Sequence, residues 1–283
     1  MSKVFLNGEI VESSDANVSV GDGGFLYGMG LFETMRAVGG KVFAIDDHLN
    51  RLFNSAEALS VNNSYSRERI FEAVEEVLVA NGLSEARLRL TLTGGAMGDG
   101  GEGESTLLIA ATELSGYPED YYEKGVRVVL TDYRQNPADP LAGHKVTSYA
   151  SRLLVLSEAH KRIAAEALWF TAENKLAEGC ISNIFLVKDS VIYTPRVETP
   201  VLPGVARKHV LGFAKAEGIE AVEKDLTIQE LLAADEIFLT NVIMLVLPVV
   251  AIEARTVGDG KVGPMTKRFL GCFNKLLSTY KDS

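Results

Sequence analysis

Cysteine, long apolar runs and positive charge are all scarce in this chain. Only Cys180 and Cys272 occur among its 283 residues, too few for a disulfide framework and without the C-x-x-C or Cys/His spacing that suits zinc. Both thiols read as reduced, and no metal site is expected. The most apolar stretch, IFLTNVIMLVLPVVAI at 237–252, is too short and too interrupted to span a bilayer. No basic-plus-apolar leader pattern opens the chain, so it is expected to be cytoplasmic. Lys and Arg number 28 against 38 Asp and Glu, a formal charge of -10. No basic run offsets that field, which argues against nucleic acid and anionic membranes as partners. Internal repeats and low-complexity tracts are absent.

What remains is ordinary globular composition, 47% hydrophobic and 23% charged, long enough for two modest domains. KVFLNGEIV reads as two strands around an Asn-Gly turn, and LFETMRAVGGKVFAI as two more around Gly39-Gly40. Asp46 or Asp47 can cap a helix over HLNRLFNSAEALSV. Ser66 can cap RERIFEAVEEVLVANG, whose apolar stripe is Ile70, Val74, Val77 and Leu78. EARLRLTLT and STLLIAATEL are strand-like runs joined by a glycine-rich segment. This first part, residues 1–114, reads as a small α+β domain. The polar SGYPEDYYEKG at 115–125 is the expected linker, because it breaks the periodicity. The second domain, 126–283, then holds a helix at about 148–165, a strand at ALWFTA and a hairpin turning at Lys188 to Ser190. A helix opens at PGVARKHVL, TIQE forms a capping box, two strands follow, and Pro264 starts the last helix.

Four places could carry chemistry. In GHKVTSYASRLL, Lys145 follows a strand and precedes a helix that Thr147 or Ser148 can cap, with an apolar stripe at Leu153, Leu156 and Ile163. An amine beside a helix N-terminus is favoured in its neutral form, which is the form that attacks a carbonyl to make an imine. Glu178 precedes a glycine and a strand, so its carboxylate points either into a cleft or into water. Pro203-Gly204 opens a helix whose amides at Val205 and Ala206 can meet an anion. His48 and Arg51 share a helix face that can offer a guanidinium to a phosphate. An imine-forming lysine, a carboxylate for a protonated ring nitrogen, and a phosphate cradle are together what pyridoxal 5'-phosphate requires.

On YGMGLFETMR, HLNRL, GHKVTSY, AEGCISNIF, VLPGVARKHVL and EIFLTN followed by LPV, in that order along nearly the whole chain, the sequence resembles the class IV (fold-type IV) aminotransferase family. That family includes branched-chain and D-amino-acid aminotransferases and aminodeoxychorismate lyases. The resemblance implies a two-domain α+β fold of the D-amino-acid aminotransferase type, with a small N-terminal domain and a larger pseudo-barrel domain. It implies pyridoxal 5'-phosphate bound as an imine to Lys145, with Glu178 on the ring nitrogen and Tyr149 on the phenolic oxygen. Leu202 would lie under the ring, and Arg51 with the amides of Val205 and Ala206 would hold the phosphate. It further implies a homodimer acting on small amino acids and 2-oxo acids.

The sequence departs from the family in two loops. Val242 stands where branched-chain enzymes carry a threonine, so a further phosphate contact is expected from amides near Val242 and Ile243, with Thr240 or Asn241 as helpers. The TGGAMGDGGEGE loop has three acids and no arginine, and should repel the carboxylates that an arginine-bearing lyase loop would attract. Arg36 and Arg89 are candidates for substrate carboxylate or for structural ion pairs. Tyr27 and Phe32 are either pocket walls or core, and His48 and His144 read as structural. Transamination is the first expectation, elimination of pyruvate from aminodeoxychorismate the second, and a non-catalytic member of the fold the third.

Overall fold

A computed structural model describes residues 2–98, 101–102 and 104–281. It divides into two compact units, Met1–Ser115 with His144–Tyr149 and Leu277–Ser283, and Gly116–Gly143 with Ala150–Leu276. Helices and sheet occur in both, as an α+β fold requires.

In the first unit, strands β1 (Lys3–Leu6) and β2 (Glu9–Glu12) form the expected hairpin, with positive φ at Asn7 and Gly8. Then come α1 (Gly23–Tyr27), β3 (Gly30–Val38), β4 (Lys41–Val42), α2 (Ile45–Ala58), α3 (Arg67–Asn81), β5 (Ala86–Thr93), β6 (Met97–Gly98), β7 (Gly101–Glu102) and β8 (Thr106–Glu113). One antiparallel sheet runs β2-β1-β8-β5-β3-β4, and β6 pairs with β7 separately. Helix α3 begins as expected, Ser66 accepting from the Arg69 amide at 3.1 Å, and ends on Gly82 in the left-handed region. Helix α2 does not begin on an aspartate: the residue before it is Ala44, left-handed and without a side-chain cap. Asp46 and Asp47 fall inside its first turn, where their charge still meets the positive end of the dipole. Leu31, Met35 and Ala37 of β3 alternate onto the face covered by Leu49 and Leu52 of α2 and by the predicted stripe of α3. That leaves Phe32, Thr34 and Arg36 on the opposite face.

The second unit contains α4 (Glu119–Glu123), β9 (Val126–Gln135), α5 (Ala150–Lys161), β10 (Glu166–Thr171), β11 (Leu176–Gly179), β12 (Asn183–Lys188), β13 (Val191–Pro195), α6 (Val205–Ala216), β14 (Ala221–Lys224), α7 (Ile228–Leu232), β15 (Glu236–Asn241), β16 (Leu245–Ile252), β17 (Arg255–Thr256) and α8 (Pro264–Lys281). Its mixed sheet runs β11-β10-β9-β16-β15-β12-β13-β14, with β17 on β16. The stretch read as a linker holds the short α4. Pro264 opens α8, and Thr227 with Glu230 closes the capping box of α7.

Helix α5 is shorter than expected. It starts at Ala150, and its buried line is Val155 and Ala159, one turn apart. Leu153 is exposed, and Ile163 lies beyond the helix, 86% exposed with φ of 55°. The expected stripe is therefore only partly realised, through Leu156. Among the described residues, no helix is long and apolar enough to cross a membrane, and no group of His, Cys, Asp and Glu could hold a metal ion.

Candidate active site

In the first unit, residues 145–147 are stitched onto the start of β3. Val146 bridges Leu31, the Phe32 amide donates to the Lys145 carbonyl at 2.9 Å, and the Thr147 amide donates to the Gly30 carbonyl at 2.8 Å. The hydroxyls of Thr147 and Ser148 both donate to the Gly28 carbonyl, at 2.8 and 3.0 Å, so neither is used as a helix cap. Gly28 itself is left-handed, and a Cβ there would lie 2.4 Å from the Ser148 hydroxyl. Lys145 thus lies in a segment held by an isolated bridge, ahead of the start of α5 at Ala150 and not in its first turn.

The Lys145 amine lies 4.4 Å from the Phe32 ring centre and 5.9 Å from that of Tyr149, and the two rings meet edge to face at 5.2 Å. On Phe32 also rests the Arg89 guanidinium, 3.4 Å from the ring centre. Phe32 is buried, and its ring lies against both the Lys145 amine and the Arg89 guanidinium. Burial, and then the charge of Arg87, pull Arg89 down to about 10, although the residue is exposed. Arg89 makes no ion pair among the described residues. Arg36 is half-buried on the same face of β3, paired across the strands with Arg87. Tyr27 is exposed at the end of α1.

The core face of β3 carries Glu33, which the sequence reading passed over. Arg51 grips it with Nε on Oε1 at 2.8 Å and Nη2 on Oε2 at 2.6 Å, while Nδ1 of His48 sits 2.7 Å from Oε2. Burial alone would raise the Glu33 carboxyl, but the charge of Arg51 and the bonds from His48 and Arg51 outweigh it and hold it at about 2. Burial lowers His48 despite that carboxylate. A glutamate at a core-facing position between Leu31 and Met35 was the available signal. His144 meets the buried Ser55 of α2 at 2.9 Å.

The second unit holds the remaining candidates. Glu178 lies in β11, 4% exposed, not in a water-facing loop. Its Oε1 accepts from Arg152 at 2.6 Å, and its Oε2 from the Leu202 amide at 3.0 Å and from Asn183 at 3.4 Å. Leu202 is half-buried. Helix α6 opens after Gly204 without any side-chain cap, leaving its first amides, at Val205 and Ala206, outside the helical ladder. Gly204 is required there, since a Cβ would stand 1.9 Å from the Asn183 side-chain oxygen. Asn241 accepts from the amides of Ile243 and Met244, at 2.9 and 2.8 Å, so the Ile243 amide expected for an anion is engaged within the turn. Val242 is buried, and the buried Thr240 hydroxyl has no hydrogen-bond partner among the described residues. Cys180 is no nucleophile: burial, then the nearby Glu166, push its thiol to about 12. Asp99, and the side chain of Glu102 in the acidic loop, lie outside the described residues.

A family model described as amino-transferase class IV matches residues 30–252. A branched-chain-amino-acid aminotransferase of Pseudomonas aeruginosa is 32% identical, covering 97% of this chain and 92% of its own. A D-alanine aminotransferase of Staphylococcus haemolyticus is 31% identical, covering 99% of both. Among solved structures, the T.th. branched-chain amino acid aminotransferase with pyridoxamine 5'-phosphate superposes at a TM-score of 0.92, with 29% identity over 99% of this chain and 95% of that one. The chain therefore belongs to the class IV aminotransferase family.

Proposed function

We propose that the protein uses pyridoxal 5'-phosphate to move an amino group between an amino acid and a 2-oxo acid, with Lys145 as the catalytic amine. The observation that carries this reading is the fixing of Lys145 on the Phe32 and Tyr149 rings by a backbone bridge, which fits a residue that must both bind and react. The donors and acceptors of the chain suit the cofactor. Uncapped amides at Val205 and Ala206 and the unpartnered Thr240 hydroxyl suit a phosphate, and Glu178 suits a protonated ring nitrogen. The T.th. enzyme, with its pyridoxamine 5'-phosphate, supports the same reading. Arg51 completes the proposed phosphate set, together with Asn241 and Val242 at the turn after β15; Tyr149 would meet the phenolic oxygen and Leu202 the ring face.

When bound, the cofactor supplies an electron-withdrawing ring that lowers the cost of removing a proton from the substrate Cα. Lys145 Nζ would take the Cα proton and hold it, acting as base and then acid. Glu178 would hold a proton at the ring nitrogen. Arg36 and Arg89, on one face of the first unit's sheet, are the proposed partners of the substrate carboxylate, and Phe32 with Tyr27 the walls beside it.

The test is optical. Added pyridoxal phosphate should give an absorbance band at roughly 400–430 nm that Lys145→Ala abolishes; a wild-type protein without that band would sink the proposal. Glutamate formed from 2-oxoglutarate and an amino donor would separate exchange from a lyase, which would release pyruvate and 4-aminobenzoate from aminodeoxychorismate. We place the enzyme in the cytoplasm as a homodimer. Val20, Phe25, Leu26, Tyr27 and Met29 all stay exposed, Phe25 at 73%, a patch that suits a second copy. Sedimentation as a monomer at working concentration would refute the dimer.

A further inference from the structure

We propose that Arg152 is a positioning residue that fixes the one acceptor site of Glu178 left over for the ring nitrogen. The inference rests on the cofactor reading above and deepens it. An ionised carboxylate has about four acceptor sites, two on each oxygen. On Oε2 of Glu178 both are taken, by the Leu202 amide and by Asn183. On Oε1 Arg152 takes one, through Nη2 at 2.6 Å. Among the described residues a single site remains, and it is on the atom that Arg152 holds.

The geometry of the arginine suits that task. Its second terminal nitrogen, Nη1, donates to the Gly179 carbonyl at 2.9 Å, so one planar fork ties the Glu178 side chain to the backbone that follows it. The guanidinium also lies 5.5 Å from the Trp169 ring centre, and Trp169 in turn donates its indole N–H to Cys180 Sγ at 3.3 Å. Both ends of the ion pair are screened from water, with side-chain exposures of 19% for Arg152 and 6% for Glu178. A lysine could supply the charge but not the fork, because its ammonium is a point donor on a flexible stem. Without Arg152, Oε1 would have two sites and no fixed partner, and Glu178 could turn about its two remaining bonds on Oε2. The ring nitrogen would then meet a carboxylate whose direction was unset.

Arg152→Met and Arg152→Lys test this in the full-length protein with pyridoxal phosphate and an amino donor deuterated at Cα. Loss of one charge-assisted bond should weaken cofactor binding in Arg152→Met about 10- to 100-fold. The pH midpoint of the absorbance band should move, and the deuterium isotope effect on amino-donor turnover should rise. Arg152→Lys should fall between Arg152→Met and the wild type on all three readouts. A stabilising ion pair with no positioning role would lower the unfolding temperature while cofactor affinity, band midpoint and isotope effect stayed at wild-type values; that outcome overturns the proposal. Should Arg152→Met fail to fold, Arg152→Lys decides alone, wild-type values again overturning it. A wild-type protein that forms no band removes the cofactor reading and this inference together, whereas a normal wild-type band with unaltered variants removes only the role of Arg152.

Discussion

Glu33 in the first unit and Glu166 in the second are equally buried and titrate in opposite directions. Glu33 is gripped by Arg51 through two bonds and touched by His48, and despite burial its carboxyl is held at about 2. Glu166, at the start of β10, accepts from the amides of Cys180 and Ile181 at 2.9 and 3.1 Å and from the Ser182 hydroxyl at 2.9 Å, all neutral donors. There burial outweighs the hydrogen bonds and pushes the carboxyl up. Burial alone does not fix the sign; a contacting cation does. Glu33 belongs to an electrostatic device that orients Arg51. Glu166 ties down the turn that follows Glu178.

The largest blow to this contrast is Arg51→Met. It leaves Glu33 buried beside His48 alone, and should cost about 3–5 kcal/mol of unfolding free energy, the usual result of orphaning one member of a buried pair. Adding Glu33→Gln to that variant should recover part of the loss, because the uncompensated charge is gone. Urea midpoints of the two single variants and the double variant measure the coupling; strict additivity would mean that Arg51 does not control Glu33.

The next effect is the acid side of the stability profile. A carboxyl lowered from 4.5 to about 2 contributes stability that is complete above the unfolded value and drains away as pH falls through the folded one. At 1.36 kcal/mol per unit this amounts to about 3 kcal/mol. Glu33→Gln should therefore differ from wild type by a gap that narrows between pH 4.5 and about 2. His48 adds a loss of the same sign that starts higher, as pH falls through its ordinary 6.5, because its folded value is lowered. A gap that stays constant across the acid range would remove the ion pair from the account of stability.

Much of this was legible in the sequence where local chemistry dictates the backbone. Asn7-Gly8, Ser66 with Gly82, and Thr227 with Glu230 each carry their turn or cap in their own residue types, and each forms as expected. The start of α2 was not legible, since Ala44 holds a left-handed conformation only because the surrounding fold imposes it. Thr147 and Ser148 looked like caps and instead serve a carbonyl more than a hundred residues away, at Gly28. Lys145, Arg51 and Glu178 stood out through ordered motifs. Their partners Glu33 and Arg152 did not, because a pairing between distant segments leaves no local mark. Glu33 was recoverable from strand alternation alone. Glu166 was marked just as faintly, as a lone acid among apolar residues just ahead of the ALWFTA strand.

The smallest expected effect sharpens the comparison from the other side. Glu166→Gln keeps the shape but turns an amide donor toward a cluster of donors, the Cys180 and Ile181 amides and the Ser182 hydroxyl. One mismatched buried group should cost about 1–3 kcal/mol. The sign of its pH dependence is opposite to that of Glu33. A carboxyl raised above its unfolded value contributes stability that is complete below that value and is lost as pH rises through the folded one. Wild type should thus lose stability relative to Glu166→Gln on going from acid toward neutral pH, while the difference from Glu33→Gln grows over the same direction. Urea midpoints of the three proteins at a series of pH values would show the two differences moving apart. If they moved together, neutral donors would be holding Glu166 ionised as firmly as Arg51 holds Glu33, and the charge of the partner would not be what separates these two sites.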